Sequence, residues 1–223
     1  MICNYRTCQQ GNWADCWMLS ALTSLGYHRP DAVNEMVQPL DDGSFVVSLP
    51  NKDAIVVRPE EGGGSTSEGN WVAAVEAAVQ RFTNAADSRV LSFGAGISIL
   101  TGRSHSTYTN VTGIGFAPLT RIFHRREWFV ENVAAATSQS RVVILGGSDG
   151  YWTEVKVPGL INRHCYALLA YEGETGTCRI RDPRGLDSEI PQDRKRDGYG
   201  PGEFWLTPDE VEASFCGLSF EKE

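Results

Sequence analysis

One junction constrains this chain more than any other. The polar, glycine-containing run Gln10-Gly11-Asn12-Trp13-Ala14-Asp15 ends on Cys16, and an apolar helix begins there, with Trp17, Leu19, Leu22 and Leu25 mostly on one stripe and Gly26 as a stop. A helix this apolar must be buried. Cys16 then lies in its first turn, where the positive end of the helix dipole and unpaired backbone N–H groups favour thiolate over thiol. Gln10 is a side-chain amide just upstream that can act as an oxyanion donor beside the backbone N–H of Cys16.

Composition sets the frame for that site. At 223 residues the chain is one large domain or two small intimate ones, and 41% hydrophobic with 22% charged residues is ordinary globular usage. A net charge of −8 provides no basic field for nucleic acid. No run approaches the ~18 apolar residues that span a bilayer, so no membrane partner is expected. The first residues show neither a basic n-region running into an apolar h-region nor a small-residue cleavage site, so the expectation is a chain not secreted by that route or a fragment of something longer. Six cysteines are spread over a chain large enough to do without disulfides, so free thiols and a reducing compartment, the cytoplasm of a producing or target cell, are expected. With no Cys-x-x-Cys or His-x-x-x-His pair, neither a metal nor a cofactor is expected.

The first half reads as helical, with two short strands within 45–58 and a helix carrying Trp71, Val75, Ala78, Val79 and Phe82 on one face. The Gly-rich passage Gly94 to Gly102 leads to a boundary placed near Gly102-Arg103, giving parts 1–102 and 103–223. Beyond it, Val142–Leu145, Cys165–Tyr171, Cys178–Arg181 and Glu203–Leu206 read as strands of an antiparallel sheet, with a helix over Arg126–Thr137. Thr207-Pro208-Asp209-Glu210 is a capping box that opens a short helix to about Phe215. The fold class is therefore α+β. Of four histidines, His28 and His124 lie among polar and basic residues and read as solvated, and His105 lies in a Ser/Thr-rich loop. His164 begins an apolar strand, from which a rigid element can aim it. Asp182, after the next strand, can accept the second ring N–H.

These motifs, in this order, resemble the calpain protease core: Gln-Gly-x-x-x-Asp-Cys-Trp at 10–17, His164 before its apolar strand, Arg-Asp-Pro-x-Gly at 181–185 and Gly-Glu-Phe-Trp at 202–205. Trp71 with Glu76-Ala77-Ala78, and Leu100-Thr101-Gly102, fit the same pattern, so the resemblance runs from about Gln9 to Phe220. It implies a papain-like, two-lobed cysteine protease: a helical lobe around Cys16, a β-rich lobe around His164 and an extended protein substrate between them. The ~150 residues from Cys16 to His164 suit that family. By resemblance Cys16 is the nucleophile, His164 the base and then acid, Asp182 the orienting residue and Gln10 the oxyanion-hole side chain. Trp17, Arg163, Gly94 and Gly96 are candidate substrate contacts.

The chain departs from the family at several positions. Asp182 stands where calpains have Asn, Arg184 replaces the following Trp, and Arg163 replaces the Gly before the histidine. Arg181 or Arg184 is placed to compete for the Asp182 carboxylate. The acidic residues that would bind calcium are reduced to Glu203, so a calcium-independent, preformed cleft is expected. Only fifteen residues precede Cys16, too few for an inhibitory propeptide. Control by a dedicated inhibitor protein is then expected, as for the effector or toxin domain of a larger delivered protein. Two other readings use the same residues: a non-proteolytic acyl transfer (glutamine deamidation or transglutamination), and a catalytically silent binding module.

Overall fold

In a computed structural model, residues 3–83, 93–109, 126–147, 157–186 and 190–223 are described. Helix α1 (Cys16–His28) runs two residues past Gly26, and every residue from Trp17 to Gly26 is buried. Pro30 at the first helical position opens α2 (Pro30–Met36). Three short strands follow as an antiparallel sheet: β1 (Val37–Pro39), β2 (Phe45–Val47) and β3 (Ile55–Val57). Helix α3 (Trp71–Thr83) buries Trp71 to Val79 without interruption. The Gly-rich passage contains a helix: α4 (Ala95–Thr101) ends on Gly102 in the left-handed conformation.

The second sheet comprises β4 (His105–Thr109), β5 (Val143–Gly147), β6 (Cys165–Glu172), β7 (Thr177–Arg181), β8 (Glu203–Leu206) and β9 (Phe215–Glu221). Its order is β4-β9-β5-β6-β7-β8, antiparallel throughout. The capping box at Thr207 forms, its hydroxyl accepting from Glu210 N, and α6 (Pro208–Ser214) follows. The chain then turns into β9, where the sequence suggested no strand. Helix α5 (Arg126–Ser138) lies against β6.

Alternation along β5 explains how the sheet serves two cores. Ile144 joins a cluster built from α1–α4 and the first sheet, while Val143 and Leu145 join α5, α6 and the other face. Helix α1 covers the first face, packed on β5 and β6. A buried hydroxyl ties them: Ser24 Oγ accepts from Val143 N (3.1 Å) and donates to Leu168 O (3.5 Å).

Helices α1 and α4 meet at Gly96, where an added Cβ would lie 2.7 Å from Trp17 O and 2.9 Å from Ala21 Cβ. Gly96→Ala gains about 1 kcal/mol of helix propensity but forces α4 off the backbone of α1, at a cost of about 1–3 kcal/mol. Urea unfolding is expected to show a net loss of up to about 2 kcal/mol; higher stability would mean that this contact is loose.

Candidate active site

The site assembles where α1, β6 and the turn after β7 converge. Asp15 O accepts from Met18 N (2.8 Å) and Leu19 N (3.1 Å), starting the helix so that Cys16 is its first residue and half-buried. The N–H groups of Cys16 and Trp17 precede the first helical hydrogen bonds and point out of the helix start. His164, 7% exposed, is anchored through its carbonyl, which accepts from Gly147 N (2.7 Å). Its Nε2 pairs with Asp182 Oδ1 at 2.9 Å, leaving Nδ1 for Cys16. The Tyr166 ring packs edge-on against the imidazole at 4.9 Å.

Asp182 is fixed by its backbone: its N–H donates to Gly202 O (3.0 Å) and its carbonyl accepts from Gly185 N (3.0 Å). Of the two arginines placed to compete, Arg184 engages the carboxylate. Its backbone N donates to Oδ1 (2.8 Å), and its guanidinium lies 3.4 Å from Oδ2. Oδ1 remains on His164, and the Arg184 side chain covers the outer side of the acid. Arg181 is fully buried and donates instead to Cys8 O (2.7 Å) and Arg6 O (3.0 Å). Together with Gln10 N donating to Pro183 O (2.9 Å), it straps the segment before Cys16 to the Asp182 turn.

These contacts invert the usual protonation. A hydrogen bond from the Cys165 thiol, then one from His164 and its charge, outweigh burial and hold the Cys16 thiol well below the ordinary range. Burial opposes charge on His164, but hydrogen bonds to Asp182 and Cys16 and their charges push it up to about 9. Burial likewise opposes charge on Asp182, yet the His164 contact brings that carboxyl below its usual value. The stable form is thiolate, imidazolium and carboxylate in a row, the resting state of an activated cysteine nucleophile.

Gln10 lies beside the site with its amide turned inward. Nε2 donates to Trp13 O (2.7 Å) and, more weakly, to Asp15 Oδ1 (3.3 Å). Asp15 is buried against Glu76, and burial followed by the hydrogen bond to Glu76 pushes its carboxyl far above the carboxylate range. Asp15 is therefore neutral beside the thiolate. Glu76, also buried, accepts from Gly63 N (2.6 Å), Ser65 Oγ (2.8 Å) and Ser65 N (3.4 Å), while Ser65 Oγ accepts from Gly11 N (3.0 Å). This carboxyl pair holds the Gln10 loop. The only hint of it in the sequence was one acidic residue among the buried positions of α3.

Of the candidate substrate contacts, only Arg163 is exposed, and its φ of 57° lies in the left-handed region that favours glycine. Gly94 and Gly96 are both buried: an added Cβ would meet the His105 and Ser219 side chains at Gly94 and the backbone of α1 at Gly96. Trp17 is 5% exposed and packs in the core, so it offers little surface to a substrate. His28 is half-buried rather than solvated, and burial pushes it down to about 4. His105 bonds Ser98 Oγ through Nδ1 (2.9 Å), and His124 lies outside the described residues. Sequence reasoning missed Cys165, although it directly follows His164.

Glu203 is 2% exposed and accepts from Arg179 Nη2 (2.5 Å) and Nε (2.9 Å), with Arg6 Nε 3.5 Å from its other oxygen. Guanidinium groups occupy the place a cation would need. Among the described residues no group of three or more His, Cys, Asp or Glu could hold a metal ion. No protein-family model matches the chain, and no curated protein matches it significantly.

Two outcomes follow from this geometry. Thiolate persists as pH falls to the lowered value of Cys16, and the imidazolium persists as pH rises to about 9. Alkylation of Cys16 by iodoacetamide should therefore already be fast at pH 6, level between those limits, and rise again above about 9. His164→Ala should slow it at pH 6 by at least about tenfold. Glu76→Ala strands the buried donors of 63–65 and Asp15, and should cost about 2–4 kcal/mol in urea unfolding. Asp15→Asn, neutral and of the same shape, should stay within about 1 kcal/mol of wild type.

Proposed function

We propose that this chain is a calpain-like cysteine endopeptidase. In this reading a helical part carrying Cys16 and a β-rich part carrying His164 and Asp182, meeting near residues 102–103, face each other across a cleft of papain-like form. The supporting observation is the contact series Cys16, His164, Asp182 with its inverted protonation, reached from elements far apart in sequence. The buried pair Asp15 and Glu76 adds to it, because a charged Asp15 would repel both the thiolate and an oxyanion.

In the mechanism, Cys16 thiolate attacks a peptide carbonyl, and the developing oxyanion meets the Cys16 backbone N–H at the start of α1. Gln10 provides a second donor by exchanging its 3.3 Å bond to Asp15 Oδ1 for the oxyanion, while the 2.7 Å bond to Trp13 O keeps the amide oriented. A neutral Asp15 holds that hydrogen only weakly. His164 passes its Nδ1 proton to the leaving amine, closing the acyl-enzyme. It then takes a proton from water, which attacks the thioester and restores Cys16. Asp182 keeps the ring oriented and its cation stabilised throughout. Calcium has no part in this scheme, because Arg179 and Arg6 already neutralise Glu203.

The test is cleavage of casein in reducing buffer, in excess EDTA and separately in calcium. Equal cleavage in both by wild type, and a loss of about 10³-fold or more in Cys16→Ala, is the expected result. Cleavage in calcium alone would overturn the calcium-independent reading. An alkylatable Cys16 that cuts no protein but changes the mass of an intact one would replace proteolysis with another acyl transfer.

A further inference from the structure

Cys165 is not an ordinary buried cysteine. Burial pushes the thiols of Cys3, Cys8 and Cys178 up to about 11, 12 and 12, and the contact with Cys16 followed by burial raises Cys165 as well, so it too is a protonated thiol; what sets it apart is its place beside Cys16. Cys165 starts β6, immediately after His164, and belongs to the buried cluster against which Cys16 packs. The two sulfurs are held by separate rigid elements, the first turn of α1 and the first residue of β6, which pack directly on each other. Facing Cys165 across the sheet is Gly146, itself opposite Gly217, and the Phe93 ring packs over both glycines.

We propose that Cys16 and Cys165 form a peroxide-responsive dithiol, in which Cys165 is the resolving thiol that captures oxidised Cys16 as a reversible disulfide. The proposal rests on the reading of Cys16 as a thiolate nucleophile, but not on what it acylates. Cys16 is the half-buried thiolate that a small oxidant reaches; Cys165 is 8% exposed and is reached through Cys16.

In the first step Cys16 S⁻ attacks one oxygen of hydrogen peroxide. The O–O bond breaks, sulfur loses two electrons to become S–OH, and the departing hydroxide takes the His164 imidazolium proton to leave as water. In the second step the Cys165 sulfur attacks the sulfenic sulfur. The S–O bond breaks as the S–S bond forms, and the hydroxyl leaves with the Cys165 proton as a second water. A disulfide needs an S–S distance of about 2.05 Å, and a change of χ1 rotamer carries a cysteine sulfur through about 3 Å. The disulfide removes the nucleophile, and dithiothreitol returns both thiols.

The alternative fate of Cys16 is further oxidation to sulfinic acid, which thiols do not reverse. The experiment is peptide mapping by mass spectrometry after the whole chain is treated with hydrogen peroxide, before and after dithiothreitol, in wild type and Cys165→Ala. A Cys16–Cys165 cross-linked peptide that dithiothreitol releases is the expected wild-type result. Cys165→Ala should accumulate at least about fivefold more Cys16 sulfinic acid under the same dose. A disulfide between Cys165 and Cys216 instead, or equal sulfinic acid in both proteins, would overturn the proposal. The wild-type cross-link is informative even if the variant folds poorly. Because the readout is the mass of Cys16 and not proteolysis, a chain that forms the disulfide yet cuts no casein would fail the protease reading alone.

Discussion

Everything at the site depends on how α1 is seated. The helix has almost no exposed face, so it can exist only between the first core cluster and the large sheet, and that position brings its first residue to the beginning of β6. Burying a long apolar helix contributes far more than any polar contact nearby, at ~25 cal/mol per Å² of apolar surface. Ser24, bonded to β5 and β6, sets where along the sheet the helix rests. Gly96 sets how closely α4 can press from the other side. The catalytic geometry is thus a product of hydrophobic packing, with polar groups supplying the register.

The charges follow a consistent plan. One net positive group, His164, lies between two negative ones, Cys16 and Asp182. Each further charge is either neutralised or directed elsewhere: Asp15 by protonation against Glu76, the second oxygen of Asp182 by Arg184, and Arg181 by two carbonyls of the N-terminal segment. An aspartate in the orienting position is compatible with this plan because Arg184 balances it.

Much of this was legible in the sequence. The helix opened by Cys16, the strand after His164, the α+β class and the capping box at Thr207 rest on local patterns that tertiary contacts did not override. What stayed hidden was non-local. Phe215–Glu221 mixes glycine, serine and a buried glutamate with apolar residues, because β9 is an interior strand with Glu221 satisfied by Arg29 (2.7 Å) and Val142 N (2.9 Å). Alternation cannot reveal such a strand when both faces are covered. The Gly-rich passage 94–102 gave no sign of a helix, yet two of its glycines make room for packing and the third ends one. The link between Asp15 and Glu76 joins residues sixty positions apart, and the thiol pair requires knowing that α1 lies on β6.

The place of β9 has a consequence for how the molecule comes to exist. The strand contributed by residues 215–221 lies inside the large sheet, between β4 and β5, so neither neighbour has its final partner until that stretch arrives. Pairings spanning more than a hundred residues, as between His105 and Glu221, are slow to close because chain entropy is lost before contact energy is gained. Until then β5 lacks one of its two partners, and the platform under Cys165 and the Ser24 anchor is incomplete. Cys16 and β9 are about two hundred residues apart in the chain, so the packing around the start of α1 is complete only once that distant strand has paired.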